Sequence, residues 1–203
     1  MSFSNSSPIR IAAALFALLV TAAQAQQVKV EVAALEVQLQ QSPDIEFSGP
    51  KDKKWDPKSW LEMEVAFTAQ SSDRNAEFIE ELEFVYYVYF DGAKDAQTKV
   101  YTRSVKVTNI PQGEGSFTIA YMTPQTLEAA YGKGKAPNER DVWVAVEVRS
   151  SGALVGGKAS EKESTRWWQS GQAQRVEGSI FAKHETPFQF LWYDRHVQEK
   201  RDR

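Results

Sequence analysis

Cysteine is absent from all 203 residues. That excludes disulfides, thiolate metal sites, thiol catalysis and a lipid anchor on an N-terminal cysteine, so the packed core has to carry the stability. Histidine is scarce: only 2 occur, His184 and His196. Each has an acid nearby in sequence (Glu185, Asp194), at spacings that form no recognisable ligand set and read as surface positions. No HExxH, GxSxG or phosphate-cradling glycine loop is present, so nothing marks a catalytic, metal or cofactor site. Gly152, Gly156 and Gly157 read as turn glycines. Excess positive charge is lacking as well, with 24 Lys and Arg against 27 Asp and Glu. That argues against nucleic acid, whose binding needs clustered cations.

Long apolar runs are missing too. The longest, residues 11–20 (IAAALFALLV), is too short for the roughly 20 residues that span a bilayer. Arg10 precedes it and Ala23-Gln24-Ala25 follows, the small-x-small pattern that a signal peptidase cuts. Residues 1–25 therefore read as a cleaved export signal. The expected product is non-cytoplasmic, in the periplasm or on the outer-membrane or extracellular surface, with no integral membrane span. Residues 26–198 read as one domain, large enough to bury a core without staples, and Glu199–Arg203 as a charged tail.

What fills the chain is strand pattern. Val28, Val30 and Val32 are apolar at even positions, and Leu35, Val37 and Leu39 at odd ones. The slip predicts a bulge or a change of sheet at Ala33-Ala34. Leu61, Met63, Val65 and Phe67 alternate with polar residues, whereas Leu82–Phe90 (LEFVYYVYF) is apolar on both faces and reads as a central strand. Further strands are expected at 101–107, 117–121, 142–148 and 153–155, with a last pair near Gly178–Ala182 and Phe188–Tyr193. One helix interrupts them: Thr123 caps it, Pro124 starts it and Gly132 ends it. About 8–9 turn-separated strands with a single short helix predict an all-β, immunoglobulin-like antiparallel β-sandwich rather than a parallel βαβ sheet.

Binding chemistry then rests on tryptophan. Trp55 and Trp60 flank the Asp56-Pro57 turn, and Trp167-Trp168 sit in a polar stretch where neighbouring side chains point opposite ways. Exposed, these four would anchor a protein partner in the cell envelope or stack on glycans; folded back, they would cover the ends of the core. An open sheet edge would offer a third mode, strand addition. The carboxylates Glu62, Glu64, Glu80, Glu81 and Glu83 sit close enough in sequence for glycosidase-like pairing, but fit an acidic solvated face better.

Three stretches carry a resemblance: LEVQLQQSPDIEFSG (Leu35–Gly49), KKWDPKSWLEMEV (Lys53–Val65) and FIEELEFVYYVYFDG (Phe78–Gly92). Together they cover about a quarter of the chain after the leader. The sequence resembles a small family of secreted immunoglobulin-like proteins of verrucomicrobial gut bacteria, whose genes accompany type IV pilus assembly. The resemblance implies a non-enzymatic, pilus-associated protein whose partners are pilus assembly components, with no catalytic residues to carry over. A filament subunit is not expected. A type IV pilin keeps a long apolar helix after cleavage, whereas here the apolar run precedes the cut and β-pattern follows it. The expected role is a non-catalytic protein–protein interaction module accessory to pilus assembly or surface adhesion. The alternative is a carbohydrate-binding module.

Overall fold

Val28–Gln41 forms one unbroken strand, β1, because a bulge at Ala33 absorbs the slip in its apolar pattern. Val32 pairs with Phe67 and Ala34 with Ala66, leaving Ala33 as the extra residue. Val28 and Val30 before it, and Leu35, Val37 and Leu39 after it, all pack towards the same core. The computed structural model describes residues 27–44, 56–93, 99–160, 166–171 and 173–201. The leader (residues 1–25) and Trp55 lie outside the described residues.

The remaining elements are β2 (Ser59–Ser71), β3 (Phe78–Phe90), β4 (Lys99–Pro111), β5 (Gly115–Met122), α1 (Pro124–Tyr131), β6 (Val142–Ser150), β7 (Ala153–Ala159), β8 (Gln174–Val176), β9 (Ile180–Ala182) and β10 (Gln198–Glu199). One sheet runs β1-β2-β5-β9. The facing sheet runs β10-β4-β3-β6-β7, with β8 added in parallel to β4. The order β1-β2-β5 facing β4-β3-β6-β7, with a helix between β5 and β6, is that of an immunoglobulin-like sandwich.

Alternation decides what lies between the sheets. Leu61, Met63, Val65 and Phe67 of β2 face Leu82, Phe84, Tyr86 and Val88 of β3 and Val142, Val144, Val146 and Val148 of β6, all buried. Phe67 and Phe84 meet across the gap with ring centroids 4.8 Å apart. β3 lies between β4 and β6, as its two apolar faces require. Its outward Tyr87 joins Val100, Ala145, Ala159 and Trp168 in a second apolar cluster on the far side of the sheet. Helix α1 has the expected caps: Thr123 Oγ1 accepts from Thr126 N at 3.3 Å, and Gly132 at φ +111° donates to Glu128 O at 2.8 Å. No helix among the described residues is long and apolar enough to cross a membrane.

Two expectations need correction. Phe188–Tyr193 is not a strand: after Pro187 the chain makes successive turns, Gln189 N to Thr186 O, Leu191 N to Phe188 O and Arg195 N to Trp192 O. Gly156 and Gly157 are not turn residues but lie inside β7, which is longer than 153–155. A Cβ on Gly156 would stand 2.6 Å from Val30 O, and one on Gly157 2.7 Å from Val146 O. Only glycine lets β1, β7 and β6 approach so closely, which closes one side of the sandwich. Near the end of the described chain, Glu199 belongs to β10 and Lys200 N donates to Lys106 O at 2.8 Å.

Candidate interaction site

The segment from Lys183 to Lys200 straps the open face of the β1-β2-β5-β9 sheet to the edge of its neighbour. It leaves β9 through a single 3₁₀ turn, Lys183–Glu185, in which Glu185 Oε2 accepts from Ala182 N at 2.8 Å. Thr186 Oγ1 donates to Lys183 O at 2.7 Å and accepts from Phe188 N at 3.2 Å, so Phe188 is aimed down at the sheet. Its fully buried ring stacks on Tyr121, with centroids 4.5 Å apart and planes 10° from parallel, while Trp60 abuts it edge-on at 5.7 Å. Further on, Val197 N donates to Phe117 O at 2.9 Å, and β10 then pairs with β4 of the other sheet.

Between these two anchors the chain bulges outwards, and its rings meet solvent. Phe190 is 78% exposed, Trp192 51% and Tyr193 70%. Trp192 has φ +47°, a left-handed conformation that costs a bulky side chain about 1–2 kcal/mol. Its carbonyl accepts from Arg195 N at 3.1 Å and from Lys183 Nζ at 3.2 Å, and these bonds hold it there.

Beneath the loop is a buried polar chain. Lys183 Nζ lies 3.1 Å from His196 Nδ1, and His196 Nε2 lies 2.8 Å from Glu64 Oε1. Glu64 also takes a two-pronged ion pair from Arg195, at 2.8 and 2.6 Å, and the Arg195 guanidinium lies 3.9 Å above the Phe117 ring centroid. An ammonium can only donate, so His196 Nδ1 accepts; Nε2 then carries the proton and donates a hydrogen bond to the Glu64 carboxylate. The imidazole is therefore neutral. Burial above all, with Lys183 beside it, holds the His196 pKa below its usual 6.5. The Arg195 bonds hold Glu64 below the ordinary carboxylate range, and burial lowers Lys183.

His184 does not pair with its sequence neighbour either: its Nδ1 lies 2.6 Å from Glu199 Oε2. Glu199 Oε1 accepts from Lys183 N at 2.8 Å, so β10 clamps the start of the strap. Among the described residues, no three His, Asp or Glu side chains are gathered as a metal would need. Beside the loop opens a groove of about 930 Å³, lined by Tyr193, Gln189, His184, Gln198, Thr108 and Lys200 among others.

The tryptophans marked from sequence fall in two places. Trp60 is half-buried and supports the strap through Phe188. Trp167 and Trp168 sit in a 3₁₀ turn on the opposite sheet. Trp168 is buried, 6% exposed, and its indole donates to Glu147 Oε1 at 3.0 Å. Gln169 Nε2 (2.7 Å), Tyr87 OH (3.2 Å) and Arg149 Nη2 (2.8 Å) donate to the same carboxylate. Arg175 donates to Trp168 O and covers the Tyr87 ring. These bonds hold Glu147 ionised below the usual carboxylate range, although burial opposes them as the largest single influence. Trp167 is half-buried beside Trp143 and Tyr89, with centroids 6.3 and 6.0 Å away, forming a low aromatic shelf. So the structure separates Trp60 from Trp167-Trp168. The exposed rings of the strap, Phe190, Trp192 and Tyr193, were hidden in the sequence by an alternation that read as a strand. The signal against it was Pro187 at the entrance.

A family model matches residues 21–203, and the family is described as pilus-like. No functionally curated protein is significantly similar in sequence. A crystal structure of a protein from Akkermansia muciniphila, a verrucomicrobial gut bacterium, superposes with a TM-score of 0.74 at 26% identity, covering 88% of this chain and 96% of that one.

Proposed function

This chain belongs to the family whose model matches residues 21–203, and from that premise we propose that it is an exported, non-catalytic interaction module that serves pilus assembly by docking a protein partner of the cell envelope on its Phe190–Tyr193 loop. The observation that carries the reading is the trio of exposed rings on a loop fixed from below. Preformed aromatic anchors bind proteins well because little conformational freedom is lost on contact. The buried network supplies that rigidity and is fully occupied in doing so. Lys183 bonds His196, His196 bonds Glu64, and Lys183 also holds the Trp192 carbonyl of the loop.

The test is a photo-crosslinking residue at Tyr193 in the exporting bacterium, with one at exposed Lys133 as control, followed by mass spectrometry. Pilus assembly proteins attached at 193 and not at 133, and lost when Phe190 and Trp192 become Ala, are the expected result. Crosslinks confined to proteins unrelated to pili would overturn the pilus role. Equal yields at both positions would remove the loop.

One observation favours a glycan instead. Tyr193 stands at the mouth of a groove rich in amide, hydroxyl and imidazole groups, the pairing of ring and polar edge that sugars use. Quenching of tryptophan fluorescence by oligosaccharides, lost in Tyr193→Ala, would select that reading.

A further inference from the structure

β1 is the outermost strand of its sheet, and its two halves differ. The first half is guarded, because the Val30 backbone lies against Gly156 of β7. Past the bulge at Ala33, nothing among the described residues pairs with the outer side of Leu35–Gln41. Sheets that stay solitary protect such an edge with lysine, proline, a bulge or an inward charge. LEVQLQQ has none of these, and its one charge, Glu36, is on the exposed face. Leu35, Val37 and Leu39 are only half-buried, although the β2 residues opposite them, Val65, Met63 and Leu61, are wholly buried. Among the described residues the edge therefore has both unpaired outer backbone groups and apolar surface for another strand.

The residues also say which strand fits. Two copies related by a two-fold axis meet antiparallel, each edge against itself. With the axis at Gln38, Val37 meets Leu39 and Glu36 meets Gln40. With it at Val37, Leu35 meets Leu39 and Glu36 meets Gln38. The axis at Val37 sets apolar against apolar along the core side, the axis at Gln38 does so for Val37 and Leu39 while placing Leu35 against Gln41, and both keep the two carboxylates apart; an axis at Glu36 would oppose them directly. We propose that the protein self-associates by antiparallel pairing of Leu35–Gln41 with the same segment of a second copy, the two-fold axis passing through Val37 or through Gln38. The two four-stranded sheets become one continuous sheet, and the pair presents two aromatic loops.

The absence of native cysteine makes the test direct. Val37→Cys, Gln38→Cys and, as control, Ala129→Cys on the exposed side of α1 are oxidised mildly, while the cysteine-free parent is sedimented over a concentration series. A parent of twice the chain mass, and a covalent dimer from 37 or 38 but not from 129, is expected. Of Val37→Pro and Gln38→Pro, one points its lost N–H away from β2 and so keeps the parent melting temperature. That variant should sediment at half the parent mass. A parent that is monomeric throughout, crosslinking no faster at 37 and 38 than at 129, or a dimer that persists in the fold-retaining proline variant would each overturn the proposal. A partner of different sequence on this edge would yield no homodimer, and would overturn it too.

Discussion

Lys183 Nζ lies 3.1 Å from His196 Nδ1, and this contact joins the beginning of the C-terminal strap to its end. The same ammonium bonds the Trp192 carbonyl. One buried cation thus fixes the foot of the loop, its crest and the imidazole that reaches down to Glu64 on β2. A buried charge persists only if it is well paired. Here the compensation comes from a neutral histidine and a backbone oxygen, with Glu64 one bond further on. The exposed rings are held by chemistry that no partner needs to touch.

That arrangement predicts acid sensitivity. The His196 pKa is lowered in the fold, so the unfolded chain binds more protons as pH falls. The stabilisation it gives is complete above the unfolded value, near 6.5, and is lost as pH falls below it towards the lowered folded value. Glu64 and Glu147 are also lowered and add a second loss below about 4.5. The melting temperature should drop between pH 7 and 5 and again below 4.5. In His196→Gln the first drop should shrink while the second remains, as followed by circular dichroism. An unchanged upper limb in that variant would show that His196 does not govern it.

Glu147 should be the most costly single carboxylate to remove. Four donors from three separate stretches of chain converge on it. Glu147→Ala leaves the Trp168 indole without its acceptor in a buried place, at a cost of about 2–3 kcal/mol by urea unfolding. Exposed Glu139→Ala, the comparison, should fall within about 0.5 kcal/mol of the parent.

Trp168→Ala and Trp167→Ala should separate cleanly. Truncating the buried ring opens a cavity and strands Glu147, costing about 3–5 kcal/mol. Truncating half-buried Trp167 should cost less than half of that, because Trp143 and Tyr89 still pack against each other, with centroids 5.0 Å apart. Equal losses would mean that both rings belong to the core.

How much of this was legible depends on the kind of contact. The bulge in β1, the caps of α1 and the central place of β3 follow from neighbours in the chain, and periodicity or a single capping residue reveals them. Gly156 looked like a turn because its reason lies 126 positions away, at Val30. The strap misled for a similar cause. Phe188, Phe190 and Trp192 alternate like a strand, yet Phe188 is spent on Tyr121 and the other two face solvent. The partners of both histidines, Glu199 and Glu64, are likewise set by the path of the strap and not by local spacing. Trp167 and Trp168 lie in a 3₁₀ turn, half-buried and buried, so neither stands exposed as strand alternation would have placed one of them.

Gly156→Ala tests the closed side of the sandwich. Its Cβ would meet the Val30 carbonyl, a backbone atom that cannot swing aside. β1 and β7 would have to part, at a cost of about 1–3 kcal/mol. The comparison is Gly115→Ala, where a Cβ meets nothing within 4 Å; it should leave the unfolding midpoint near the parent value. If Gly156→Ala is equally silent, the approach of β1 to β7 is not a stabilising constraint.

Trp192→Gly sets stability against binding at one position. The left-handed backbone at φ +47° suits glycine, so relief of strain offsets the lost contacts of a ring already 51% exposed. The expected melting temperature equals or exceeds that of the parent, while crosslinking to a partner at residue 193 falls. A marked loss of stability would show instead that the ring is part of the packing of the strap. Unchanged crosslinking with unchanged stability would leave Phe190 and Tyr193 as the anchors and reduce Trp192 to a bend. The first outcome alone explains why a strained tryptophan stands where glycine would fold more easily.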